Sequence, residues 1–436
     1  MLRLPELEAD TIRQCSRCKC QSVDKEAFKL DNTGTGWHCP WCSQYLTGNT
    51  QRVIVRFMMI VGVILIFIGA CLYLIDQRVT NIVNYYVPLN IGLFLLVWPI
   101  VIVPHMLIML AGVRLLGGHV TLIRYGGFPV WYTRDIGAVR GMIGQALLVP
   151  EFFIGWYFPS PRAFNLKVLL LQLNLYLTSF FIIAILILET RSNSWQTSPA
   201  LAEIWWVITA VLTVVWLFGE QQRWNQWLAI LKNEEETVTQ WHIGGLINYS
   251  AQLLRQRKCQ DAIELCLNGL KQYPDSVLLQ IQLGHIYSES NELELEKEVL
   301  SEIDEPSGLS FFQQAALYNN YGWVLWRLGD KTAAQVFIDR AYLLAPWNAA
   351  ILNSKGWSLV EQGNINQGLE LLFQSVERAM TRETKASSLG YAAIGLFRKQ
   401  SVPRAVETLR EAEKIAPQAP EVLQAKSELG HAYLTR

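Results

Sequence analysis

The chain has 436 residues, more than the ~100–200 of one domain, so two or three units are expected. Its 37 basic and 37 acidic residues cancel, and no long like-charged run marks an interaction tail, so charge gives no argument for a nucleic-acid partner. Hydrophobic residues at 51% against 17% charged, with 16 Trp, point instead to a lipid bilayer.

The N-terminal 50 residues carry two C-x-x-C knuckles, Cys15-Ser-Arg-Cys18 and Cys39-Pro-Trp-Cys42, separated by twenty residues. Cys15, Cys18, Cys39 and Cys42 at this spacing can present four thiolates tetrahedrally, the donor set of one structural zinc ion with no position left for water. The turn-forming "DNTGTG" between the knuckles fits a β-hairpin joining them. The pattern resembles zinc ribbons over residues 14–45. Cys20 and His38 are spare donors beside the knuckles and are read as bystanders, and Cys71, Cys259 and Cys266 as packing residues. Disulfides are disfavoured if this end is cytoplasmic. Nucleic acid is not the expected ligand of the ribbon, because Arg13, Arg17, Lys19, Lys25 and Lys29 are offset by Asp24, Glu26 and Asp31.

Apolar runs follow at residues 53–75, 85–111, 168–188 and 204–218. Roughly 20 apolar residues span the hydrocarbon core, so the first three read as transmembrane helices. The shorter fourth carries Trp205, Trp206 and Trp216 toward its ends and reads as a span, with an interfacial or re-entrant helix as its alternative. The first run starts too late for a cleaved signal peptide. Arg52 before the first run, and Arg114, Arg124, Arg134, Arg140, Arg162 and Lys167 in the long loop, outnumber Arg78 and Arg191 on the alternate loops. The positive-inside bias then places both termini and the long loop in the cytoplasm. The expected location is the inner or plasma membrane of a bacterium.

Within the second run, "VPHMLIMLAGVRLLGG" sets His105 in a frame where Met106 and Met109 follow at the places of H-E-x-x-H. That motif puts two imidazoles at i and i+4 on zinc, with a glutamate as general base. The surrounding "VPHMLIMLAGVRLLGGHVTLIRYGGFPVW" nevertheless resembles the site-2 protease family of intramembrane metalloproteases. It corresponds to that family's zinc-binding helix, its small-residue exit and the β-rich segment after it. "PRAFNLKVLLLQLNLYLTSFF" is similar to the family's arginine-led third helix, and together these cover residues 85–232. The resemblance implies a third ligand, an Asp in the last span, and "TAVLTVVWLFGEQQRWNQW" has none, offering only Glu220 and Asn225 nearby. Zinc hydrolysis needs several protein ligands and a base. His105 alone stands at a motif position, and His38, His119, His242, His285 and His431 include no i, i+4 pair. The site reads as a degenerate remnant and the membrane domain as a pseudoprotease.

From residue 241 the chain repeats. In "AALYNNYGWVLWRLGDKTAAQVFIDRAYLLAPWN", Gly322, Leu325, Gly329, Ala334, Ala341 and Pro346 fall where a 34-residue helix–turn–helix unit needs small or apolar residues. Gly356, Leu359, Gly363, Gly368 and Ser375 repeat the pattern one unit later. This resembles the tetratricopeptide repeat, in about five units. Some site-2 protease-like members also end in such repeats. Stacked hairpins form a groove lined by the first helix of each. In that frame the partner-binding residues are Asn248, His285, Asn319, Trp323, Arg327, Asn353, Trp357 and Glu361, with Trp323 and Trp357 alternatively packing between hairpins.

The expected fold is therefore mainly α: a small β zinc ribbon (1–50), an α-helical transmembrane bundle of about four spans (51–232) and an α-solenoid of tetratricopeptide repeats (241–436). The expected function is a non-enzymatic integral membrane scaffold, with one zinc ion in the ribbon, the lipid bilayer around the bundle and a protein or peptide ligand in the groove. The alternative is an intramembrane zinc metalloprotease with a displaced active site.

Overall fold

Two short antiparallel strand pairs surround the N-terminal knuckles: β1 (Arg13–Gln14) with β2 (Gln21–Ser22), and β3 (Lys29–Leu30) with β4 (Trp37–His38). They are seen in a computed structural model of the chain that describes residues 12–24, 26–30, 36–79, 92, 103–146, 152–159, 166–168, 170–171, 232, 235–303 and 309–434. The backbone clusters into two compact units. One comprises Met1–Thr47, Pro129–Thr133 and Leu253–Arg436, the other Gly48–Phe128 and Arg134–Gln252. This differs from the expected three-way division. The ribbon clusters with the helical array, and the second boundary falls after Gln252 because the helix before it packs onto a sheet.

In the second unit, α1 (Pro40–Val79) contains Val53–Leu72, among the described residues the one helix long and apolar enough to cross a membrane. Phe57 and Phe67 on it are 66% and 69% exposed. The expected span at 168–188 lies almost wholly, and that at 204–218 wholly, outside the described residues. The span at 85–111 is described at Gly92 and from residue 103. A Cβ on Gly92 would meet the Gly62 carbonyl at 2.6 Å, so this buried glycine permits backbone contact with α1.

Helix α2 (Val103–Leu115) ends at Gly117, whose φ of +76° turns the chain into β5 (His119–Tyr125). With β6 (Gly127–Ile136), β7 (Val139–Ala146) and β8 (Phe152–Tyr157), it forms a sheet in the order β6-β7-β5-β8, with β5 parallel to β7 and antiparallel to β8. Met109, Val113, Val120, Ile154 and Phe158 form the apolar core between α2 and the sheet. Helix α3 (Glu235–Arg255) closes it. Tyr249 stacks on Tyr157 and His119 at 4.7 and 4.8 Å, and the Gln252 amide donates to the carbonyls of Val120 and Ala138.

In the first unit the helices are α4 (Cys259–Gln272), α5 (Val277–Glu289), α6 (Leu293–Ser301), α7 (Phe311–Arg327), α8 (Lys331–Leu344), α9 (Ala349–Glu361), α10 (Ile365–Arg378), α11 (Arg382–Arg398), α12 (Val402–Ile415) and α13 (Pro420–Leu434). Their starts are written in side chains that satisfy free N–H groups. Ser276, Asp330, Asn348 and Thr381 each accept from the first turn, and Ser310 with Gln313 forms a capping box. The bend within each hairpin has one residue at positive φ, namely Asn291, Gly329, Gly363 and Gln400, and Arg257 takes the same conformation before α4. Inside a hairpin the helices approach closely, and a Cβ on Gly368 would meet the Gly356 carbonyl at 2.7 Å. Two apolar clusters run through the array, one around Tyr318, Tyr321 and Phe337, the other around Trp357, Leu372, Tyr391 and Leu409.

Candidate functional site

The knuckle turn places Lys19 at φ +60°, with its N–H on the Cys15 carbonyl, and this folds Cys15, Cys18 and Cys20 over one point. Their sulfurs and that of Cys39 all lie within 4.8 Å of one another. Cys18 is central, 3.3 Å from the Cys20 sulfur and 3.7 Å from that of Cys39. The Cys42 thiol also reaches Cys18 and Cys39, and its backbone N–H donates to the Cys39 sulfur. Four thiolates ~2.3 Å from a tetrahedral zinc sit about 3.8 Å apart, so the cluster fits the ion. Cys20, expected as a bystander, stands in this group of four and Cys42, expected as a ligand, does not, because the turn at Lys19 returns Cys20 to Cys18. His38 also stands outside it, its Nδ1 lying 3.3 Å from the Ser16 hydroxyl. Hydrogen bonding to Cys18 raises the Cys39 and Cys42 thiols and lowers Cys18. Such sulfurs ionise together only with a cation among them.

Helix α2 holds no comparable cluster among the described residues. Met109 is buried with Val113, Ile154 and Phe158, and Met106 packs against the same core. The His105 side chain lies outside the described residues.

A 34-residue step along the chain gives Asn319, Asn353, Ser387 and Glu421; the first two hold one position of successive hairpins, ten residues before Gly329 and Gly363, whereas Ser387 stands thirteen before Gln400 on α11. The Asn353 amide donates to the Ser387 hydroxyl at 3.0 Å, and Ser387 in turn hydrogen-bonds the Glu421 carboxylate. Burial still raises the Glu421 carboxyl. The Oδ1 atoms of Asn319 and Asn353 are buried without a partner. Sequence reading found the two asparagines but not Ser387 or Glu421. The 34-residue spacing was the available signal, hidden by the change of residue type.

Six residues before their turns stand His285, Trp323 and Trp357, with Tyr391 nine before Gln400. Trp357 stacks on Tyr391 at 4.3 Å and is 4% exposed, the packed alternative of its two expected roles. Trp323 packs edge-on to Tyr391 at 6.0 Å, and His285 is exposed. Arg327 is held by the Ser288 carbonyl and by Asn291 Oδ1 at 2.6 Å. Glu361 pairs with Arg398 and Lys331 at 2.7 and 3.0 Å. Burial would raise this carboxyl, but the two cations outweigh it and hold it below the usual range. Asn248 lies in the other compact unit, on α3, and is not part of this row.

Residues 315–346 match the tetratricopeptide repeat family. The match runs from within α7 to the turn after α8. No curated protein matches the chain. Similar solved structures include YrrB, described as a TPR protein with an unusual peptide-binding site, at 19% identity and a TM-score of 0.29, covering 42% of this chain and 91% of that one. A thermophilic TPR protein of Thermus thermophilus is similar at 15% identity and a TM-score of 0.35, over 43% of this chain and 98% of its own. PilF of Pseudomonas aeruginosa follows at 13% and 0.33, over 48% and 93%.

Proposed function

We propose that the protein is a membrane-anchored, non-enzymatic scaffold that binds an extended peptide segment of a partner protein along the repeat helices. The observation that carries this reading is the row Asn319, Asn353, Ser387 and Glu421. Asn353, Ser387 and Glu421 form a connected row across adjacent helices, and an extended backbone offers it N–H and C=O groups that a side-chain amide can meet by accepting and donating at once. The unpartnered Oδ1 atoms are out of reach of water, so capture requires the amides to swing outward. For Asn353 that motion gives up the hydrogen bond its Nδ2 donates to Ser387, which a captured backbone must replace.

The membrane part of the proposal is a bundle of about four spans with both termini cytoplasmic, related to site-2 proteases but without their chemistry. It rests on the apolar runs, on the exposed aromatic face of α1 and on the arginine distribution. Methionines at 106 and 109 accept no proton, and Met109 is committed to the core. The partner is tested with an array of overlapping random peptides probed with the detergent-solubilised full chain. Wild-type protein is expected to retain a subset, and the variant Asn319→Ala with Asn353→Ala and Ser387→Ala to bind that subset at least tenfold more weakly. His105→Ala should bind as wild type. Equal retention by the triple variant would remove the row as the binding site.

A further inference from the structure

The thiol cluster is fastened to the helical array by its own loop. Ser22, fully buried at the end of β2, places its hydroxyl 3.0 Å from the Leu343 carbonyl and 2.8 Å from that of Leu344, and the Val23 N–H donates to Leu343 at 3.3 Å. These carbonyls end α8, where a helix has no partners of its own to offer them. The N-terminal loop thus caps a helix more than three hundred residues away.

A hydrophobic contact accompanies the cap. Phe28 is packed with Cys15, Cys39 and Cys42, and it meets the edge of Trp347 at 5.8 Å and 82°. Trp347, in the turn between α8 and α9, packs against both the cysteine core and the repeat core. Tyr342 on α8 lies close enough to Cys20 and Cys18 to feel their charge. One side chain therefore joins the two cores.

We infer that the metal-holding unit is a brace for the repeat array, with its zinc occupancy transmitted through Ser22 and Phe28 to the end of α8 and the start of α9. Strand pairs two residues long cannot hold their own shape, so the positions of Ser22 and Phe28 depend on the cation that gathers the thiols. Losing it uncaps α8 and unseats Trp347. The loosened stretch leads directly into the helix that carries Asn353.

The experiment is amide hydrogen exchange on the full chain in detergent, zinc-loaded and after stripping by a chelator, with zinc measured in both. Exchange over residues 340–352 is expected to speed up at least tenfold on stripping while α12 stays unchanged. Ser22→Ala combined with Phe28→Ala should speed the same residues with its zinc still bound, which separates the contact from the metal. Unchanged exchange at 340–352 in either case would overturn the inference. So would an equal acceleration of α12, which means general unfolding, or a full chain that carries no zinc.

Discussion

Gln400 turns the α11–α12 hairpin at φ +64°, and Arg257 does the same before α4 at +59°. A left-handed conformation costs a residue with a Cβ roughly 1–2 kcal/mol, part of which glycine gives back through the entropy of the unfolded chain. Both side chains are exposed, so little packing is lost on replacement. Gln400→Gly is expected to stabilise the array by about 0.5–1 kcal/mol, read as a higher urea midpoint with an unchanged slope. Glu296 is a different residue-scale liability, 1% exposed on α6 with one carboxylate oxygen unpartnered. Burial lifts it to about 7, against the hydrogen bond from Ser288 and the nearby Arg327 charge that favour ionisation. Because the folded value lies above the unfolded one, the ionised form opposes folding. Stability is fullest below the unfolded value near 4 and declines as pH rises toward 7, then levels off. Glu296→Gln should therefore stabilise at pH 8 by about 3 kcal/mol, with the gain vanishing near pH 4 in paired urea melts.

The hairpins show which elements a sequence declares and which it conceals. α7 to α10 were legible because Gly329 and Gly363 stand at their turns and Gly322 and Gly356 at their close approaches. The flanking hairpins place Arg257, Asn291 and Gln400 at the same turns, so the backbone repeats while the residue type does not. The interval between turns also lengthens from 34 residues to 38 between Asn291 and Gly329 and to 37 between Gly363 and Gln400, which breaks the phase a periodic reading depends on. The choice between groove and core for Trp357 was left open for another reason. Its partner Tyr391 lies one repeat away, and the tilt between hairpins decides whether an aromatic ring faces a groove or a neighbour. Of the four gathered sulfurs, those of Cys15, Cys18 and Cys39 were legible from the two knuckles, but that of Cys20 was not, since it reaches Cys18 only through the turn at Lys19. In α2, the small-residue exit and the strand after it were readable, whereas the commitment of Met109 to an apolar core required the sheet.

For the whole molecule, the proposed topology has a direct readout. Single cysteines near residue 130 and within the repeats are expected to react with an impermeant maleimide from the cytoplasmic side, and those near residues 80 and 195 only from the opposite side. Reaction of residue 130 and the repeats from different sides would contradict four spans. The cap on α8 also bears on how the chain is made. Ser22 and Leu344 are 322 residues apart, and a ribosome adding ~5–20 residues per second needs on the order of tens of seconds to cover that distance. During that interval the thiols can gather their ion, but the surface that will receive Phe28 does not yet exist. The segment that carries Phe28 must wait, with an apolar ring uncovered, while the residues up to Trp347 are made. If the thiols hold zinc as inferred above, capture during synthesis would keep that segment in shape through the delay, and zinc supplied during translation is then expected to raise the yield of assembled protein above zinc supplied afterwards.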